Sequence, residues 1–117
     1  QDIMLMYLIP EMEIINISAL INYERNINLC HKKKNEIVQD LNAMFIDAEI
    51  LEIEDTHEAD ITGNSKVTST YFNFKSLDFI SVECEEWSKE SGNPISLKLS
   101  LRTNLYNNIL MKEYNLQ

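Results

Sequence analysis

The chain reads as an α+β domain: an antiparallel β-sheet with two or three helices packed on one face. Three observations carry that expectation. Runs of period-two alternation follow one another between residues 49 and 102, helical periodicity lies outside those runs, and the connections between them are short. With 117 residues, the chain has the length of one domain around a single core, so residues 1–117 are taken as one unit.

The elements follow in order. Ile3 to Ile9 is an unbroken apolar run stopped at Pro10, read as a core strand with both faces buried. It is far too short to span a bilayer, and it has neither the basic start nor the small-residue cleavage site of a secretory signal. Gln1 in place of Met is read as the mark of something missing upstream: a processed signal, a removed tag or a larger parent. Over residues 11–31, Ile15, Ile17, Ala19, Ile21 and Tyr23 alternate with more polar neighbours, and Ile27 and Leu29 keep the phase. That pattern favours a strand or hairpin turning near Glu24 to Asn26, over a helix opened by Pro10, Glu11 and Glu13.

Residues 33–46 read as a helix, with Ile37, Val38, Leu41, Met44 and Phe45 on one stripe and Lys32-Lys33-Lys34 as its solvated entry. Strand signals then take over. Ile50, Leu51 and Ile53 punctuate an acidic segment, Val67 to Lys75 is rich in Thr, Tyr and Phe, and Leu77 to Trp87 alternates through Ile80, Val82 and Cys84. In residues 95–102, Ile95, Leu97, Leu99 and Leu101 alternate with Ser96, Lys98, Ser100 and Arg102, predicting one buried and one wet face. The loop Ser88 to Pro94 joins this strand antiparallel to the one before it. Glu83 and Glu85 then point outward beside Lys98 and Arg102, a cross-strand charge match. Thr103 is read as the N-cap of a last helix with a stripe of Leu105, Tyr106, Ile109, Leu110 and Tyr114.

The formal charge is −9, and residues 48–60 hold six acids without one Lys or Arg. Phosphate binding needs clusters of Lys and Arg, so this balance argues against direct contact with nucleic acid and against an anionic membrane surface. The two cysteines, Cys30 and Cys84, form no C-x-x-C pair. Two free buried thiols in a reducing cytoplasm are the first reading, and one disulfide in a periplasmic or exported domain is its rival. Spacing does not decide between them.

Catalytic signatures are missing from the sequence. With two glycines, the chain has no nucleophile elbow, P-loop or dinucleotide fingerprint. Cys30 and His31 are adjacent, and adjacent residues do not face each other. Asp55, His57 and Asp60 match no zinc or calcium spacing, so no metal and no cofactor is expected. Cys84 shares the apolar phase of Ile80 and Val82 and is expected buried and inert.

The expected function is therefore non-enzymatic binding. An acidic surface made of Glu49, Glu52, Glu54, Asp55, Glu58 and Asp60, with Glu83 and Glu85 as secondary contacts, is expected to dock on a basic, nucleic-acid-handling partner such as a nuclease toxin. In this reading Glu52 and Glu54 face water while Leu51 and Ile53 anchor the strand in the core. Size, acidity and the lack of catalytic motifs fit the general profile of bacterial inhibitors such as toxin immunity and phage anti-defence proteins. That is a similarity of type and carries no residue over. The alternative is an exported small domain of a bacterial envelope protein that binds a ligand or a protein.

Overall fold

The computed structural model describes residues 2–8 and 13–104. Six strands form one antiparallel sheet: β1 (Asp2–Leu8), β2 (Glu13–Asn22), β3 (Glu49–Thr56), β4 (Lys66–Asn73), β5 (Phe79–Glu86) and β6 (Ser96–Arg102). Their spatial order is β1-β2-β6-β5-β4-β3. The single α-helix among the described residues, α1 (Ile27–Met44), connects β2 to β3. It carries the chain from one side of the sheet to the other, and the chain then returns strand by strand until β6 docks on β2.

The class is α+β with an antiparallel sheet, but the described residues hold one α-helix rather than two or three. Only a short 3₁₀ turn, Lys89–Ser91, adds to it, inside the expected loop before β6. The last helix expected from Thr103 lies outside the described residues beyond Asn104, whose N–H donates to Asp78 Oδ1 at 2.7 Å. The helix boundary is a second correction. Glu24 adopts left-handed backbone (φ 54°) in the turn after β2, and the Asn26 side chain accepts the Leu29 N–H at 3.1 Å. That cap opens α1 at Ile27, so Ile27 and Leu29 are helical although they continue the alternation of β2. β1 is a third correction: its one neighbour is β2, so it is an edge strand and not a central core strand.

The core lies between α1 and one face of β5 and β6. Cys30, Val82, Cys84, Ile95 and Leu97 are buried there, with Ile37, Val38 and Leu41 packed around them. Cys30 and Cys84 form a disulfide, with Cα atoms 6.0 Å apart, which corrects the free-thiol reading. It joins residues 54 apart in sequence, a constraint on the unfolded chain that contributes about 4 kcal/mol in the loop-entropy treatment. In β6 the apolar phase is buried as expected toward its start, yet Ser96 and Ser100 on the other face are buried too, so that face is not wet. No helix among the described residues is long and apolar enough to cross a membrane.

Candidate functional site: the acidic edge strand

β3 is the last strand of the sheet, and all eight of its residues are exposed. Its pairing with β4 is regular over its whole length, from Glu49 opposite Asn73 to Thr56 opposite Lys66. Directly paired residues share a face. Ile50, Glu52 and Glu54 therefore lie on the side that carries α1, in line with Phe72, Thr70 and Thr68 and with Ile80, Val82 and Cys84. Glu49, Leu51, Ile53 and Asp55 lie on the opposite face. The expected alternation is present, but the expected anchoring is not: Leu51 is 50% and Ile53 42% exposed. Helix α1 packs on β5 and β6 and stops short of this edge, so neither face of β3 is covered.

The backbone orientation of β3 follows from one bond. His57 N–H donates to Ser65 C=O at 2.8 Å, and that pair continues the β3–β4 register. Hydrogen-bonded and non-bonded pairs alternate in an antiparallel ladder. Asp55, Ile53, Leu51 and Glu49 thus turn their backbone groups toward β4, while Thr56, Glu54, Glu52 and Ile50 turn theirs outward. Consistent with this, the Thr56 N–H is met by its neighbour's side chain, Asp55 Oδ1, at 2.8 Å. The outward groups of Ile50, Glu52 and Glu54 form the open edge.

The other expected contact residues are dispersed. Glu58 is exposed in the turn after β3. Asp60 holds the next loop together: Oδ1 accepts from Thr62 N–H (3.0 Å) and Oγ1 (2.6 Å), and Oδ2 accepts from Ser65 Oγ (2.5 Å). These bonds pull its carboxyl from 3.8 to about 2, the Ser65 hydroxyl contributing most. Buried Ser65 also accepts the Ser88 N–H at 2.8 Å, tying this loop to the end of β5.

Glu83 and Glu85 are not the outward pair expected of them. Both lie half-buried in the middle of the sheet, on the face opposite α1. Glu83 is directly opposite Lys98 as anticipated, but Glu85 is opposite Ser96, and Arg102 is opposite Phe79, with its guanidinium 5.9 Å from that ring's centre. Burial and then the Glu85 charge push the Glu83 carboxyl upward, against the pull of Lys98, Arg102 and His57. Glu85 Oε2 is 3.2 Å from His57 Nε2. His57 Nδ1 accepts the Ala59 N–H, which leaves the ring proton on Nε2 to be donated to Glu85. The His57 ring also stacks on Trp87, with centroids 4.0 Å apart. Among the described residues, His57 meets no nucleophile, and no three of His, Cys, Asp and Glu are grouped to hold a metal ion. Asp55, His57 and Asp60 separate, each engaged elsewhere.

Lys34 is the residue whose place the sequence pattern misjudged most. Expected in a solvated helix entry, it is 6% exposed and donates from Nζ to Thr70 Oγ1 at 2.8 Å. Burial lowers its pKa, and the Glu52 charge partly restores it. A signal was present in the spacing: Lys34 follows Cys30 by one helical turn and precedes Ile37 and Val38 on the same side of α1. The chain matches no protein-family model, no curated protein and no solved structure.

Proposed function

We propose that this is a non-enzymatic binding domain that takes an extended, basic segment of a partner protein onto the edge of β3. The observation that carries the reading is the edge itself: outward backbone groups at Ile50, Glu52 and Glu54, flanked by exposed aliphatic side chains and carboxylates. Strand addition supplies main-chain hydrogen bonds, and alternate side chains supply selectivity. Here the selectivity is for Lys or Arg against Glu52 and Glu54 and for apolar groups against Leu51 and Ile53. An inhibitor of a basic, nucleic-acid-handling protein, immunity- or antitoxin-like, is the biological role this chemistry favours. The Cys30–Cys84 disulfide supports a role in an oxidising compartment, so the exported form of the reading is preferred to the cytoplasmic one.

The test uses two synthetic peptides, one alternating lysine with valine and the other glutamate with valine. Titration of the labelled protein should shift backbone amide resonances along β3 with the lysine peptide alone, and the affinity should fall as salt rises. Shifts that map away from β3, or equal binding of the acidic peptide, would remove the proposal's basis.

A further inference from the structure

We infer that Glu52 and Glu54 keep β3 from pairing with the β3 of a second copy of this chain. A regular edge strand bearing Ile50, Leu51 and Ile53 exposed is a template for edge-to-edge association. β3 contains no proline and its register with β4 has no shift, in contrast to β1, whose pairing with β2 shifts between Met6 and Tyr7. Charge is therefore the protection that β3 carries.

The registers open to two copies explain how that protection works. Two copies related by a two-fold axis pair their edges antiparallel, and outward-facing residues must meet outward-facing residues. Two registers bring the most residues together. One centres on Glu52 and sets Glu52 against Glu52 and Glu49 against Asp55. The other centres on Ile53 and sets Glu52 against Glu54 twice. Both put carboxylates directly opposite one another, a destabilising arrangement in a sheet. Shifting away from these registers shortens the pairing. Of the cations on neighbouring elements, Lys34 of α1 is bonded to Thr70 and offsets part of the Glu52 charge, while Lys66 of β4 is at the far end, opposite Thr56. On the other face the β4 neighbours are Val67, Ser69 and Tyr71, none of them cationic. This protection does not depend on the existence of a partner strand.

The experiment compares the native protein with two variants of equal charge by sedimentation velocity at one pH and salt. Glu52→Gln with Glu54→Gln removes the repulsion, and this variant should move from monomer to dimer, with roughly doubled mass. Glu52→Pro with Glu54→Gln removes the same two charges and one outward N–H without touching the β4 ladder, and it should stay monomeric. Should the proline variant fail to fold, Ile50→Pro in the Glu52→Gln, Glu54→Gln background deletes another outward N–H and serves in its place. A monomeric neutralised variant would overturn the inference. So would dimers of both variants, or a native dimer that the proline variant dissolves.

Discussion

β3 and β5 carry closely similar patterns, EILEIEDT and FISVECEE, and lie on either side of β4 in the same sheet. In β3 every residue is exposed, whereas in β5 Val82 and Cys84 are buried and the intervening carboxylates are half-covered and paired. Alternation tells which residues share a face. It does not tell how many strands lie on either side, and that number decides whether a glutamate meets water or a histidine. β3 is an edge because α1 delivers the chain to the far side of the sheet, a topological fact with no local signature.

The largest test of this contrast is the disulfide, which belongs to β5 and has no counterpart on β3. Cys30→Ser with Cys84→Ser should lower the unfolding free energy by about 4 kcal/mol, read from denaturant curves with and without reductant. Matched truncations come next. Leu97→Ala, beside β5 in the core, should cost about 3 kcal/mol, while Leu51→Ala on β3 should change stability by about 0.5 kcal/mol or less. Similar losses at the two sites would mean that β3 is packed and not open.

The carboxylates sharpen the comparison further. Glu85→Ala strands the His57 N–H in a site where the two side chains are 13% and 21% exposed, and should cost about 1–2 kcal/mol. Glu54→Ala on the open edge should leave the melting temperature unchanged or slightly higher. The smallest effects concern pH. The Glu83 carboxyl is raised above its ordinary 4.5, so the folded form takes up this proton before the unfolded chain does. Its contribution to stability therefore grows as pH falls toward 4.5, and Glu83→Gln should raise stability at neutral pH and flatten that slope. Asp60 acts in the opposite sense. With its carboxyl pulled from 3.8 to about 2, the stability it contributes is present above pH 3.8 and lost as pH falls toward 2. Asp60→Asn should abolish that acid-side loss in pH-dependent melting curves.

Much of the sheet was legible because β5 and β6 alternate cleanly and β4 is rich in the Thr, Tyr and Phe that favour strands; Gly92, at φ 76°, ends the 3₁₀ turn before β6. The start of α1 was not, because Ile27 and Leu29 satisfy period two and helical spacing alike until the Asn26 cap is seen. The acidic segment was legible as a strand but not as a surface: its carboxylates divide between two faces, and Asp60 turns inward to build a loop. The links from Glu85 to His57 and from Cys30 to Cys84 join residues far apart in the chain, and no spacing rule reaches that far.

The docking of β6 on β2 also governs how this protein comes into being. Asn16 pairs with Arg102, so the strand that completes the sheet is made long after the strand it must join. A chain emerging from the ribosome presents the β1–β2 hairpin early and cannot seat it until β6 has appeared. Such late, distant closure places folding in the slow range of about milliseconds to seconds, since the ends must find each other before the contacts reward them. During that interval the β2 edge lacks the strand that will cover it, and the unfinished sheet is open to mispairing.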